Sequence, residues 1–339
     1  MGGSDQEDRG AGKLMRLRIL GPFLVLAFAG ALPVLLSDFQ LFKLTNIVVY
    51  AIALLGINIV TGYNGQVSLG HGAFYTLGAY TAAILMVFFA VPHWAALPVA
   101  GLVCLAAGVL FALPVVRLEG MHLAMATFAL AGVTPELANY KGVAKWTGGS
   151  QGLGLDRPEV PFGLPLSYDQ WIFLLALFVL VLSFVTASNL LGGRIGRAII
   201  AVRDDSLAAQ SMGVNTTLYK TLTFGISTMY TGIAGALSAM ALLYAAPAGI
   251  FVSLGFLIGS AVGGIATLSG AIYGAIFLQV ILLVAGTVAQ SVKTPAVLAV
   301  YGIVVIAFLH LMPAGVAGFV ERVKAWTRVR TRGKAPRGS

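Results

Sequence analysis

The chain has 339 residues, a formal net charge of +9, and 10% charged against 58% hydrophobic residues. A soluble globular domain carries about 25% charged residues, so the composition excludes that class and predicts a surface that mostly faces lipid. The basic excess does not indicate nucleic acid as a partner, because Lys and Arg lie at the ends of apolar segments and in the tail.

A helix that crosses a bilayer needs about 20 mostly apolar residues. In chain order, such runs are predicted at 17–36, 41–61, 71–90, 94–116, 121–140, 170–190, 221–245, 250–268, 271–291 and 296–312. The predicted fold class is an all-α polytopic membrane protein with about ten transmembrane helices in two five-helix halves. Residues 1–16 form a polar N-terminal segment, 17–318 the transmembrane domain, and 319–339 a basic tail.

The charges beside these runs predict the orientation of the chain. If the N-terminus is cytoplasmic, most of the 21 Lys and Arg residues fall on the cytoplasmic side, as membrane proteins prefer. Both termini are therefore predicted to be cytoplasmic. The sequence Ala27-Phe28-Ala29 also resembles a signal-peptide cleavage site. The apolar run continues to Leu36, however, which favours an uncleaved spanning helix.

Two polar loops interrupt the apolar runs. Residues 141–169 are predicted to be extracellular and residues 191–220 cytoplasmic, and the second loop separates the two halves. An odd number of spans in each half gives the halves opposite orientations, which is the inverted repeat common among transporters. The two halves are too different in sequence to align.

The most informative segment is residues 62–72, Gly-Tyr-Asn-Gly-Gln-Val-Ser-Leu-Gly-His-Gly, between two apolar runs. Irregular backbone survives in a membrane only inside protein or beside a watery cavity, since every N–H and C=O needs a partner. The segment therefore predicts a helix break beside a solute path. The candidates to line this path are Tyr63, Asn64, Gln66, Ser68, His71, Tyr75 and Glu136. The alternative interpretation is that the polar side chains bond freed backbone groups and never meet solute.

Glu136 is the only carboxylate inside a predicted span, near the outer end of 121–140. Acidic residues within a membrane are costly and mark functional sites. The alternative is that Pro135 opens the helix, so that Glu136 reaches water or Lys141.

The loop at 191–220 contains a predicted amphipathic surface helix of about two turns. Asp204, Asp205 or Ser206 is expected to cap its start, and Gly213 to end it in the left-handed conformation. The spacing Ala-Ala-x-x-x-Gly is that of the loop by which permeases of ABC importers dock on their ATPase, although Leu207 replaces the usual Glu. The predicted coupling residues are Arg203, Asp204, Asp205, Ser206, Ala208, Ala209, Met212 and Gly213. A solvated connector is the alternative.

Together with Thr-Gly-Gly-Ser-Gln-Gly-Leu at 147–153, the segments at 62–80 and 194–220 resemble the LivM-type permease subunits of the branched-chain amino acid ABC importer family. The resemblance implies a multi-pass protein of the bacterial inner membrane. It also implies four kinds of partner: the lipid bilayer, a homologous LivH-type permease, two ATP-binding cassette ATPases and an extracytoplasmic solute-binding protein.

The sequence predicts a transport subunit rather than an enzyme. It has no Gly-x-x-x-x-Gly-Lys-Ser/Thr phosphate loop, so ATP and Mg²⁺ are expected on the partner ATPases, and no cofactor or metal is expected in this chain.

Departures from the family pattern at 263–270 and 311–315 leave the solute open. Branched-chain amino acids are the family default, and similar permeases carry urea, short amides and small carboxylates. An ion-coupled secondary transporter and a passive channel are the other classes; the first needs ionisable groups in the membrane, for which Glu136 and His71 are the candidates.

Overall fold

The structure, a computed structural model, describes residues 33, 35–118, 120–163, 165–292, 302–303, 305–308, 310 and 315–319. The predicted spans at 17–36 and 296–312 lie mostly outside the described residues, as does the tail at 319–339. The N-terminal segment 1–16 lies wholly outside them.

Long helices make up most of the described chain, which confirms the all-α class. The order is α1 (Asp38–Ile57), a π-helical turn (Asn58–Tyr63), α2 (His71–Phe89), α3 (His93–Val115), α4 (Met121–Asn139), α5 (Ala144–Thr147), α6 (Tyr168–Gly192), α7 (Arg194–Asp204), α8 (Ser206–Ser211), α9 (Thr216–Leu242), α10 (Ile250–Gly263) and α11 (Leu268–Val292). Short 3-10 turns lie at Gly149–Gln151 and Pro161–Gly163, and two short strands are β1 (Leu153–Gly154) and β2 (Tyr244–Ala245).

Within the described ranges, five helical segments are long and apolar enough to cross a bilayer: Asp38–Tyr63, α2, α3, α6 and α9. Five predicted spans overlap them, and α4, with 19 residues, overlaps the predicted span at 121–140. The predicted span at 250–268 is wrong at its C-terminal end. Helix α10 has 14 residues, or about 21 Å. It ends at Gly263 because the backbone turns at Gly264, where φ is +121°.

The predicted loop at 191–220 is more ordered than expected. Helix α6 runs on to Gly192 and α9 begins at Thr216, so much of the loop belongs to helices. Between them lies α7, an unpredicted helix of 11 residues. It buries Gly196, Ile199 and Val202 at helical spacing and leaves Arg194 and Arg197 exposed.

Helix α9 is the centre of the bundle and packs against α1, α2 and α3. Glycines bring the backbones of α2 and α9 into contact. A Cβ added at Gly78 would lie 2.0 Å from the Gly232 carbonyl O, and one at Gly235 would lie 1.9 Å from the Tyr75 carbonyl O. Helices in a bilayer associate through such close packing, because the hydrophobic effect does not drive apolar surfaces together in lipid. These contacts fix the position of α9 against α2.

The bundle end opposite α8 carries a folded cap. Strands β1 and β2 pair antiparallel, with Leu153 opposite Ala245, and so join the loop at 141–169 to the C-terminal end of α9. The Trp146 ring contacts Phe88 at the end of α2, with ring centroids 5.0 Å apart. The loop is therefore a structured surface rather than a free tether.

Replacing Gly78 with valine is expected to destabilise the contact between α2 and α9. The new side chain meets backbone that cannot rotate away, so the helices must separate at a cost of about 3 kcal/mol. The thermal unfolding midpoint of the purified chain in detergent should fall accordingly. The matched control is Gly255→Val in α10, where an added Cβ meets nothing within 4 Å. An equal loss at Gly255 would show that a β-branched residue in a helix, rather than the close contact, causes the effect.

Candidate functional site

Residues 64–70, called the helix break below, separate the π-helical turn from α2. The backbone over Asn58–Tyr63 is π-helical, a form in which each amide donates five residues back. The Asn64 amide still donates in this way, to the Ile59 carbonyl O at 3.2 Å. Gly65 then adopts φ +75°, a conformation that glycine reaches without the steric cost of a Cβ. The break predicted at 62–72 is confirmed. Its first two residues still belong to the π-helical turn and its last two to the first turn of α2.

Side chains from other helices bond the backbone groups that the helix break frees. The Leu69 amide donates to Thr127 Oγ1 of α4 at 3.0 Å. The Gly72 amide lies in the first turn of α2, where it has no partner within the helix. It donates instead to Ser253 Oγ of α10 at 2.9 Å. Each bond supplies a partner that water would supply outside a membrane. The break is therefore held in one shape by elements far away in the sequence.

His71 connects the helix break with α1 and α9. Ser227 Oγ donates to the Gly56 carbonyl O at 2.7 Å, so it accepts from His71 Nε2, 2.6 Å away. In the neutral imidazole the other nitrogen, Nδ1, is then the acceptor, and it lies 2.9 Å from the Ser68 hydroxyl. His71 and Ser68 are fully buried. In this conformation their polar atoms are used within the protein, as the alternative interpretation of the segment describes.

A second turn, residues 264–267, packs against the π-helical turn. Asn58 Nδ2 donates to the Thr267 carbonyl O at 2.7 Å, and Asn58 Oδ1 accepts from the Ala266 amide at 2.9 Å. The backbones approach so closely that a Cβ at Gly62 would lie 2.4 Å from the Ala266 nitrogen. The buried Asn58 amide thus joins the π-helical turn to the turn at 264–267.

A polar cavity of about 320 Å³ lies between the helix break and α7. Its walls come from Asn64 and Gln66 of the break, from the adjoining ends of α3 and α4, from residues 202–206, and from Lys220 of α9. The cavity therefore brings together two of the predicted path residues and four of the predicted coupling residues.

Helix α8 has the caps predicted from the sequence. Asp205 Oδ1 accepts from two amides of the first turn, at 2.9 and 3.0 Å. Gly213 ends the helix with φ +85°, and the Val214 amide donates back to the Ala209 carbonyl O at 3.0 Å. The helix is six residues long, slightly shorter than predicted. Capping at both ends makes it a stiff short rod.

Helix α8 is exposed over most of its surface. Leu207 is 76% exposed, and Met212, directly after the helix, is 86% exposed. The polar residues Gln210 and Ser211 are exposed beside them, whereas Ala209 is buried against the protein.

The remaining path candidates lie apart from the cavity. Tyr63 is half-buried at the end of the π-helical turn. Tyr75 is buried in α2, with its ring centroid 5.3 Å from that of Phe256 in α10. In the part of the chain that the structure describes, no three His, Cys, Asp or Glu side chains are close enough to hold a metal ion.

Glu136 lies on the exposed face of α4, together with Met125, Phe128 and Val133. The alternative interpretation, that Pro135 opens this helix, is wrong, because α4 continues past the proline to Asn139. A carboxylate is costly on a surface that faces hydrocarbon. This face of α4 is therefore expected to meet another protein or water.

Sequence reasoning did not find four residues that hold the helix break in place: Asn58, Thr127, Ser227 and Ser253. Their only signal was polarity within an apolar run. That signal is weak, because Ser and Thr in membrane helices commonly bond a carbonyl of their own helix, as Thr127 also does with Leu123.

These features define an α-helical membrane protein with several spanning helices and a polar helix break near one end. A family model described as the permease component of the branched-chain amino acid transport system matches residues 40–309, and the chain belongs to this family. Two relatives are the high-affinity branched-chain amino acid transport system permease proteins LivM of Salmonella typhimurium and Escherichia coli. Each is 34% identical over 238 residues, covering 63% of this chain and 56% of the relative. The chain thus matches little more than half the length of either relative. No solved structure matches the chain.

Replacing Ser227 with alanine is expected to destabilise the helix break, because the Gly56 carbonyl and His71 Nε2 both lose a partner. A buried polar group left unpaired costs about 1–3 kcal/mol, which should lower the thermal unfolding midpoint. Ser211→Ala is the control, since the exposed Ser211 hydroxyl bonds only within its own helix. If the midpoint of Ser227→Ala matched that of the control, the histidine network would not stabilise the break.

Proposed function

We propose that this chain is the permease subunit of an ABC importer. It forms the translocation path for a small polar solute and alternates between outward- and inward-open forms while separate subunits hydrolyse ATP. The observation that carries this proposal is the position of α8, a capped and exposed helix that begins at the polar cavity lined by the helix break. The family match supports it, because the matching model describes a permease component. ATP and Mg²⁺ bind to the partner subunits, and this chain is not itself an enzyme.

In the proposed assembly, a homologous LivH-type permease pairs with this chain in the bacterial inner membrane. Two ATP-binding cassette ATPases engage α8 from the cytoplasm, and a solute-binding protein engages the cap at 141–169 from outside. The chain has about ten spans in two oppositely oriented halves, with both termini cytoplasmic. Nucleotide binding shifts the permease between its forms only because the ATPases bind one form more tightly.

The proposed path passes the helix break and the exposed face of α4. Asn64 and Gln66, which line the polar cavity, and Glu136, which is exposed on α4, are the groups that meet solute. Ser68 and His71 hold the break in shape beside them, and Tyr63 and Tyr75 flank it. The second permease would cover the carboxylate of Glu136, which explains why a charged residue is tolerated there.

Branched-chain amino acids are the proposed solutes, because the two LivM relatives are named for their transport. Urea, short amides and small carboxylates are the alternatives within the same class. Calorimetric titration of the solute-binding protein encoded beside this chain distinguishes them: leucine, isoleucine or valine should bind, and urea or a short amide should not.

Replacing Gly213 with valine tests the docking role of α8. A β-branched residue is strained by about 1–3 kcal/mol at a left-handed position. An added Cβ has free space there, so the effect comes from the backbone alone. Uptake and solute-stimulated ATP hydrolysis by the reconstituted complex should both fall by about tenfold. Gly213→Asn is the matched control, because asparagine tolerates this conformation and should retain most activity.

Three results would contradict the proposed function. Normal uptake and normal ATP hydrolysis in Gly213→Val would show that α8 is not the docking helix. Uptake that survives ATP depletion but stops with an uncoupler would identify an ion-coupled secondary transporter. A sustained single-channel current from this chain alone in a bilayer would identify a passive channel.

Replacing Glu136 with glutamine tests its place in the path. Loss of the negative charge removes a charge-assisted contact to solute or to a neighbouring group, so uptake should fall by about tenfold while the complex still assembles. Glu136→Asp keeps the carboxylate and should restore most of the uptake. Equal uptake by the glutamine variant and the parent would exclude Glu136 from the path.

A further inference from the structure

Helix α8 is connected on one side to the π-helical turn and on the other to the helix break. Helix α7 precedes α8, and Arg203 near its end donates from Nη1 to the Gly62 carbonyl O at 3.1 Å. Helix α9 follows α8, and the Lys220 carbonyl O near its start accepts from Gln66 Nε2 at 3.1 Å. The two helices that α8 joins therefore each hold one point of the irregular backbone.

The Arg203 side chain contacts both the neighbouring carboxylate and the helix break. Its Nε and Nη2 both lie 2.9 Å from Asp204 Oδ1, which orients the guanidinium group. Its methylene groups pack on Gly65, where an added Cβ would lie 2.8 Å from Arg203 Cγ. A guanidinium is planar with donors in fixed directions, so it bonds the carboxylate and the Gly62 carbonyl together. A lysine ammonium is a point charge and does not reproduce this geometry.

Two buried amide atoms beside this junction lack a hydrogen-bond partner within the protein. They are Asn64 Nδ2 and Gln66 Oε1, and both residues line the polar cavity. Buried polar groups are nearly always bonded in a native structure. Water in the cavity, or a second arrangement of the helix break, must therefore bond these two atoms.

We infer that Arg203 is a positioning residue that, together with Gln66, transmits the displacement of α8 to the helix break. This inference rests on the proposed function, because a partner must move α8. When α8 shifts, the ends of α7 and α9 shift with it, and the hydrogen bonds to Gly62 and from Gln66 pull the break. The path beside Asn64 changes width as a result. The step is conformational and makes or breaks hydrogen bonds only.

The test compares Arg203→Ala with Arg197→Ala in the assembled complex in liposomes. Arg197 is an exposed arginine on the same helix and does not line the cavity. Solute uptake and ATP hydrolysis are measured together. Loss of one hydrogen bond from a charged group should raise the ATP hydrolysed per solute transported by about tenfold in Arg203→Ala. The ratio should stay unchanged in Arg197→Ala.

A purely structural role for Arg203 gives a different result, because less complex then assembles and both activities fall at an unchanged ratio. Two further variants apply if Arg203→Ala does not assemble. Arg203→Lys keeps the positive charge but loses the planar guanidinium that bonds Asp204 and Gly62 together. Gln66→Leu removes the hydrogen bond to the Lys220 carbonyl O. Both should raise the ratio. A parental ratio in every assembled variant overturns the inference.

Failure of this inference is distinguishable from failure of the proposed function. If Gly213→Val abolishes uptake while the Arg203 and Gln66 variants keep the parental ratio, α8 drives transport through another contact and only the inference fails. If Gly213→Val is fully active, both the assignment of α8 as the docking helix and this inference fail.

Discussion

A peptide group inside a bilayer finds no water, so the protein itself must bond each N–H and C=O. This constraint shapes the whole site. Residues 64–70 leave the helical conformation, and Thr127, Arg203 and Ser253 bond backbone groups in and beside them from three different helices. The helix break is therefore a junction in which several helices are tied to one stretch of backbone, and not a flexible loop.

In the proposed mechanism, this junction converts local movement into movement of the bundle. Packed interiors switch between discrete arrangements because they do not deform continuously. Glycines bring the backbones of α2 and α9 into contact, so a shift of α9 would carry α2 with it. Helix α8 lies immediately before the start of α9, with Leu207 and Met212 exposed. An ATPase that binds there would act on the helix break through α7 and α9 together.

Features that depend on neighbouring residues were predictable from the sequence, and features that depend on distant ones were not. The helix break and the caps at Asp205 and Gly213 follow from local residue types, and the structure confirms them. The early end of α10 was missed because the apolar composition continues beyond Gly263. The partners of His71 were missed because Ser227 is 156 positions away in the chain. The amphipathic spacing of α7 is visible in the sequence, but the segment was predicted to be part of a loop. The spans at 17–36 and 296–312 stay predictions.

The central claim is that this chain is moved from the side of α8, and site-specific labelling of Met212→Cys in oriented membrane vesicles tests it most directly. The side chain at this position is 86% exposed, and the one native cysteine, Cys104, is buried and does not compete. The expected result is a cross-link to the ATPase subunit and reaction with a membrane-impermeant maleimide from the cytoplasmic side alone. Reaction from the opposite side, with no cross-link to the ATPase, would contradict the claim.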